Sequence, residues 1–352
     1  MNKKNLAVVG YGGMGSWHVK HAQQSDCVNL VGIYDIKEDR RAAARAAGIC
    51  AYETLEELLA DPKIDLVTVA IPNDAHRDMV IRLLEAGKNV ICEKPVTTNS
   101  CDLADMIDAA NRTGKLFTVH QNRRWDVDYL AVKALRESGE IGQVLRVESR
   151  IHGANGIPGD WRKEKEHGGG MMLDWGVHLI DQMLGILPGK IVKIYCQCTH
   201  IRFREVDDGF YLTITFEDGT VGTVEVGTCN YISLPRFYVQ GKNGTAIITD
   251  WREKMHVVRD LLEVPSSVGA TPVETAAGLT KTMAPRTEAT VKSWDVERPV
   301  SDVHDFYRNV CRCIDGEETP IVTHQQVARV MRVMEAAFES DRLGMPVAFD
   351  DN

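Results

Sequence analysis

Six residues near the start of the chain have the types and spacing of a phosphate cradle. Gly10-Tyr11-Gly12-Gly13-Met14-Gly15 reads G-x-G-x-x-G. It follows the apolar run Leu6–Val9 and opens a helical pattern, the context in which such glycines serve a dinucleotide. Gly10 permits the tight turn, Gly12 lets backbone approach a pyrophosphate, and Gly15 allows close helix–strand packing. At Gly13 and Met14 the helix N-terminus offers unpaired N–H groups and partial positive charge to phosphate oxygens. Asp35 ends a second apolar run, 20 residues beyond Gly15. A carboxylate there accepts hydrogen bonds from a ribose 2′-hydroxyl and repels a 2′-phosphate, which favours NAD over NADP. Arg40 and Arg41 lie close enough in sequence to keep NADP in play, and Asp35 can also cap the following helix.

The elements that must position these residues alternate in type. Short apolar runs at 6–9, 30–34, 65–70, 89–92 and 117–120 are separated by helical patterns at 14–25, 38–47, 56–60, 75–85 and 102–113. That alternation predicts a parallel sheet covered on both faces. Beyond residue 122 the pattern changes. A connecting helix over 128–138 stops at Gly139, and strand-like runs follow at 144–152, 191–200, 210–216, 220–228, 237–241 and 245–250. With Glu217-Asp218-Gly219 as a hairpin turn, these predict an antiparallel or mixed sheet. Residues 265–299 read as a long loop, and helices over 303–314 and 325–340 close the chain. The fold class is therefore α/β, with a Rossmann domain over 1–122 and an α+β domain over 123–352.

Composition narrows the function. The 352 residues suit two domains, with 44% hydrophobic and 26% charged residues. A net charge of -9 argues against nucleic acid and anionic membrane as partners. No run approaches the about 20 apolar residues that span a bilayer, and the first run is too short for a signal-peptide core. The nine cysteines include two C-x-C pairs, Cys196/Cys198 and Cys311/Cys313, and read as reduced thiols of a cytoplasmic protein. His18, His21 and His200 lack metal-ligand spacing, so no metal is expected.

Three further motifs carry a resemblance. Ala70-Ile71-Pro72-Asn73 with His76 follows the third strand, and Cys92-Glu93-Lys94-Pro95 follows the fourth. Gly168-Gly169-Gly170-Met171-Met172-Leu173-Asp174-Trp175-Gly176-Val177-His178 opens a helix in the second half. With the glycine turn, these resemble the glucose–fructose oxidoreductase / inositol dehydrogenase / rhizopine-catabolism (Gfo/Idh/MocA) family, from about Asn5 to Phe349. The resemblance implies a large, open, predominantly antiparallel sheet that mediates assembly as a dimer or tetramer. It implies NAD(P)-dependent chemistry on small sugars, inositols or aminosugars, and a catalytic triad that maps to Lys94, Asp174 and His178. It also implies a cis Lys94–Pro95 bond.

Removing hydride from a carbinol requires a base for the hydroxyl proton and a donor for the developing alkoxide. His178 is the expected base, kept neutral by its place in the early turns of a helix. Lys94 would polarise the substrate oxygen and competes for the role of base. Asp174, four residues before His178, can bind a sugar hydroxyl, orient His178 or cap the helix. Ile71, Pro72, Asn73, His76, Glu93, Lys94 and Gln121 are expected along the cofactor, and Trp161 with Arg162 closing over it. Arg123, His152 and Tyr231 are expected at the substrate, beside Lys94, Asp174 and His178. Three activities fit these residues. The first is a dehydrogenase acting on a sugar, a glycoside (ring C3, giving a 3-keto sugar) or an inositol. The second cleaves glycosides by transient oxidation with tightly held NAD, and the third is an NAD-binding regulator.

Overall fold

Leu6 to Val9 are buried in succession and leave no polar face, so the strand that contains them must lie between neighbours and beneath helices. A computed structural model of the protein describes residues 3–158, 161–261, 263, 272–280 and 286–351. In it β1 (Lys4–Val9) lies between β2 (Val28–Tyr34) and β3 (Leu66–Val69), and β4 (Asn89–Cys92) and β5 (Phe117–Val119) extend the sheet. All pairs are parallel, in the order β2-β1-β3-β4-β5. The crossovers are α1 (Gly13–Gln24), α2 (Glu38–Ala46) with α3 (Leu55–Ala60), α4 (His76–Glu85) and α5 (Ser100–Thr113). Strand order reverses at β1, which opens a crevice at the carboxyl ends of the strands where the glycine turn sits. Local chemistry sets the helix limits. The Asn99 side chain caps α5 by accepting the Asp102 N–H, and Gly114 closes it at φ 64°.

The second half begins with α6 (Val127–Ser138), β6 (Val144–His152) and α7 (Val177–Ile186). Then come β7 (Ile191–Thr199), β8 (Gly209–Phe216), β9 (Val221–Gly227), β10 (Phe237–Gly241), β11 (Gly244–Ile248) and β12 (Met255–Asp260). The chain ends with β13 (Val273–Thr275), β14 (Gly278–Thr280), β15 (Val291–Val296), α8 (Asp305–Ile314), α9 (His324–Leu343) and β16 (Val347–Ala348). The described residues form a nine-stranded sheet in the order β15-β12-β11-β10-β6-β9-β8-β7-β16. It is antiparallel except for the parallel pair β6–β9, so the sheet is mixed. Phe210, Leu212, Ile214 and Phe216 on β8 point into the core, while Tyr211 between them is exposed. The covered face packs on α7 and α9.

The long loop expected over 265–299 is corrected by the structure. Val291–Val296 forms β15 and pairs with β12 as the sheet's edge, and β13 and β14 make a separate short hairpin. β12 was itself unassigned. Lys292, Ser293 and Asp295 on β15 are exposed, a polar surface that suits an edge strand and hides the period-two signal. Residues 265–271 and 281–285 of that stretch lie outside the described residues.

The last part of the chain also returns to the nucleotide half. On α8, Arg308 pairs with Asp26 at 2.9 Å and the Cys311 thiol donates to the Cys27 carbonyl at 3.5 Å. Asp315, just beyond it, pairs with Lys4. A cut at residue 122 follows the change of sheet, whereas these contacts run across it.

The glycine turn separates packing from binding. A Cβ on Gly15 would lie 1.9 Å from the Gly10 carbonyl oxygen, and one on Gly10 (φ +91°) would lie 2.3 Å from that of Ala70. Gly12 and Gly13 have nothing within 4 Å. Gly15→Ala is therefore expected to lower unfolding free energy by about 2 kcal/mol or more, and Gly12→Ala by less than about 0.5 kcal/mol. Urea denaturation of both variants checks this, and equal losses would contradict it.

Candidate active site

Lys94 leaves the end of β4 through a cis peptide bond to Pro95. Its ammonium lies 2.9 Å from the Asp174 carbonyl oxygen and 3.0 Å from Asp174 Oδ1. On the other side of the carboxylate, Arg162 Nε is 3.0 Å from Oδ2. The Arg162 guanidinium stacks on the ring of Trp161, 4.6 Å from its centroid. Burial pushes the Asp174 carboxyl up, but the charges of Lys94 and Arg162 outweigh it and hold the group below its ordinary value. A residue from each half of the chain thus meets one carboxylate.

Asp174 occupies a π-turn, Met172–Gly176, that runs directly into α7. Such single turns of wider helix concentrate at functional sites. The turn is anchored by Asp207, which precedes β8. Asp207 Oδ2 accepts the Met172 N–H at 2.8 Å and its carbonyl accepts the Met171 N–H at 3.0 Å. Burial raises the Asp207 carboxyl to about 6. In the structure Gly170 (φ +104°) makes room for Asp207, since a Cβ there would fall 2.2 Å from Oδ1. Asp207 was missed in the sequence; only the pair Asp207-Asp208 before Gly209 hinted at a cap.

His178 follows in the first turn of α7 and is buried. Its Nδ1 has no hydrogen-bond partner among the described residues. Burial, then the positive charges of Lys94 and Arg123, hold His178 well below 6.5, so the ring is neutral. Arg123 lies 4.3 Å from the ring centroid of Trp175 and 5.4 Å from that of Trp251, and pairs with Asp126 at 3.0 Å. Gln121 is buried with Oε1 unpartnered among the described residues. Unpaired buried polar atoms await a ligand or water. Trp251 was also missed, since a lone tryptophan after a strand carries no local signal.

Asp35 braces the glycine turn. Its Oδ2 accepts the Tyr11 N–H at 2.7 Å and its Oδ1 the Lys37 N–H at 2.8 Å. α1 starts at Gly13 with no side-chain cap at Gly12 and no acid in its first turn, leaving N–H groups for an anion. Met14 is partly exposed there. Beyond β3, Ile71 is half-buried and Pro72 exposed. Asn73 is buried and donates to the Gly168 carbonyl at 3.2 Å, which ties this loop to the glycines of the second half.

Four expected contacts have other commitments. His76 is fully buried, with Nε2 2.9 Å from the Ile71 carbonyl and Nδ1 3.1 Å from those of Pro95 and Val96. It braces the loops after β3 and β4 and presents no free nitrogen to a cofactor. Glu93 lies beneath Lys94, where Oε1 meets His18 and His120 at 2.7 Å each. His152 sits 2.9 Å from Glu225 through Nε2 and accepts the Leu234 N–H through Nδ1 at 3.2 Å, so neither nitrogen is left for a substrate. Tyr231 is 80% exposed, with its hydroxyl 3.5 Å from Arg202. The histidines satisfy backbone and sheet groups that no local pattern reveals.

Comparisons with known proteins place both halves of the chain in one family. Residues 4–121 match the oxidoreductase family model with an NAD-binding Rossmann fold, and 129–247 match the GFO/IDH/MocA C-terminal domain. The chain belongs to the Gfo/Idh/MocA oxidoreductase family. An NAD-binding protein from Listeria innocua is 44% identical, with a TM-score of 0.93 over 99% of this chain and 100% of that one. An uncharacterized oxidoreductase of Schizosaccharomyces pombe is 39% identical over 182 residues, half the length of either chain. The scyllo-inositol 2-dehydrogenase (NAD(+)) of Bacillus subtilis is 27% identical over 98% of this chain and 96% of its own length. The protein is thus an oxidoreductase with an NAD-binding Rossmann fold. No helix among the described residues is long and apolar enough to cross a membrane.

The charge around His178 is testable directly. Lys94→Met removes a cation that disfavours imidazolium, so the His178 pKa is expected to rise toward 6.5. Histidine ¹⁵N NMR titration reads this without substrate, and an unmoved or lowered His178 titration would contradict the geometry.

Proposed function

We propose that the protein is an NAD-dependent dehydrogenase acting on a secondary hydroxyl of a sugar, glycoside or cyclic polyol. The observation that carries this reading is a buried His178, held neutral by burial and by the charges of Lys94 and Arg123, whose Nδ1 has no partner among the described residues. The open space over Gly12 and Gly13 and the uncapped start of α1 fit the pyrophosphate of the cofactor. Gly10, Gly12, Gly13, Met14 and Gly15 would hold it, with Asp35 at the ribose. Each Asp35 oxygen already accepts one backbone N–H and retains a lone pair for a ribose hydroxyl. Ile71, Pro72, Asn73, Gln121, Trp161 and Arg162 would flank the remainder. Bound NAD supplies the hydride acceptor.

In this reading His178 takes the hydroxyl proton and returns it in the reverse direction. Lys94 spends two of its three N–H donors on Asp174 and directs the third at the substrate oxygen, where negative charge develops. Asp174, itself fixed by Arg162, holds the lysine in that pose. Arg123, locked against Trp175, borders the polyol side. Residues 1–122 then serve the nucleotide, and 123–352 the substrate and assembly. The exposed Tyr195 and Tyr211 on the open sheet face support a homo-oligomer, dimer or tetramer. The nine free cysteines fit a reducing, cytoplasmic setting.

Purified protein is expected to reduce added NAD with at least one member of a panel of pyranoses, glycosides and inositols. No absorbance change with any member, while NAD is shown to bind, would remove the proposal. Sugar release without net NADH would mark the transient-oxidation route. His178→Asn is expected to lower kcat by about 10²–10⁴ with the NAD Kd held. Because the base acts unprotonated and His178 is held below 6.5, kcat/KM for oxidation should stay level from about pH 8 down to 6.5. Asp35→Ala should raise the NADP to NAD ratio of kcat/KM by about tenfold or more; an unchanged ratio would remove Asp35 from the ribose.

A further inference from the structure

Beneath Lys94 lies a buried chain of hydrogen bonds that the reaction above does not use. The Tyr307 hydroxyl, on α8, is 2.6 Å from His18 Nδ1. His18 Nε2, on α1, is 2.7 Å from Glu93 Oε1, and His120 Nδ1, just past β5, is 2.7 Å from the same oxygen. Glu93 Oε2 accepts the Lys94 N–H at 3.1 Å. Thr68 Oγ1, on β3, stands 3.4 Å from the Tyr307 hydroxyl. Each of these side chains is buried.

Proton bookkeeping is unique here. Burial, the largest influence, holds His18 below its ordinary value, so the ring is neutral and carries one proton. Glu93 is an anion: burial pushes it up, but His120 and the hydrogen bond from His18 hold it well below its ordinary range. The His18 proton therefore sits on Nε2 and points at Glu93, while Nδ1 accepts the Tyr307 O–H. Three N–H groups converge on one buried carboxylate, from His18, His120 and the backbone of Lys94. A network so satisfied is rigid, and a half-satisfied one is costly.

His18, Glu93 and His120 also form a donor set that a metal ion could use, with Tyr307 as an outer partner of His18. The distances favour protons. Ligand atoms sharing a tetrahedral zinc at about 2.0–2.1 Å stand roughly 3.3 Å apart. Both N···O separations here are 2.7 Å, a hydrogen-bond length.

We propose that Tyr307, His18 and His120 are positioning residues, which act through Glu93 to fix the backbone of Lys94 so that its ammonium meets Asp174 and the substrate oxygen. Through Tyr307, the docking of α8 on the nucleotide half becomes a condition for an aligned lysine. The site is thus completed by a helix close to the end of the chain. The effect on turnover rests on the dehydrogenase reading; the effect on Lys94 itself does not.

Tyr307→Phe deletes only the hydroxyl, and the test reads two quantities in the NAD-loaded protein. One is the acetic anhydride labelling rate of each lysine, resolved by mass spectrometry. The other is turnover on the best substrate of the panel. Lys94 is expected to label about threefold faster than in the wild type, with the half-buried Lys133 unchanged as reference. Turnover is expected to fall by about tenfold or more in kcat, with the NAD Kd within about twofold. Unchanged Lys94 labelling overturns the proposal whatever kcat does, and faster labelling at unchanged kcat overturns the link to catalysis. If the wild type turns over nothing while labelling rises in the variant, the dehydrogenase reading fails and the positioning link stands. Should Tyr307→Phe not fold, His120→Asn removes the other donor and is read in the same way. Stoichiometric metal in the purified protein, lost in His120→Asn, would overturn the proton network.

Discussion

One largely buried carboxylate, Asp174, joins the two halves of this protein. It holds Lys94 from the first half of the chain and Arg162 from the second, at 3.0 Å each. In a site from which most water is excluded, such a group is tolerable only while both cations are present. Losing one partner of a buried pair generally costs about 3–5 kcal/mol, because the other charge is stranded. The same cations then act on their surroundings. Lys94 and Arg123 add to burial in keeping His178 neutral, so electrostatics that hold the crevice together also set the protonation state a base requires.

Around that carboxylate, positioning is done by backbone capture more than by side-chain pairs. Asp207 seizes two N–H groups at the start of the π-turn. His76 gathers carbonyls from the loops after β3 and β4, and Asn73 reaches the glycines across the crevice. The Asp207 and Asn73 bonds join segments 35 and 95 positions apart. The loops at the mouth of the crevice gain order from the scaffold while leaving His178 Nδ1 and Gln121 Oε1 without partners among the described residues. The glycines divide in the same way. Gly10, Gly15 and Gly170 are demanded by atoms already present, whereas Gly12 and Gly13 face open space.

Much of this was open to reading before any coordinates. The run Leu6–Val9, the glycine turn and Asp35 obey rules that operate within a few residues: strand burial, helix-terminus chemistry and carboxylate polarity. The hairpin at Glu217–Gly219 is likewise local, and Gly219 adopts φ +85°. The order of the Glu93-Lys94-Pro95 and Asp174…His178 motifs carried the family. β15 escaped because an edge strand needs few apolar residues, so its polar sequence resembles a loop.

What tertiary structure alone decided is which polar group meets which. His76, His152 and His178 are all histidines beside apolar residues in the sequence, yet two have both nitrogens engaged and one keeps Nδ1 without a partner among the described residues. Asp207 becomes the anchor of the π-turn before α7, and Tyr307 reaches His18 across 289 positions. Periodicity in a short window records whether a residue is buried. A buried polar atom's partner is chosen by segments far away in the chain, and that choice exists only once the chain has folded.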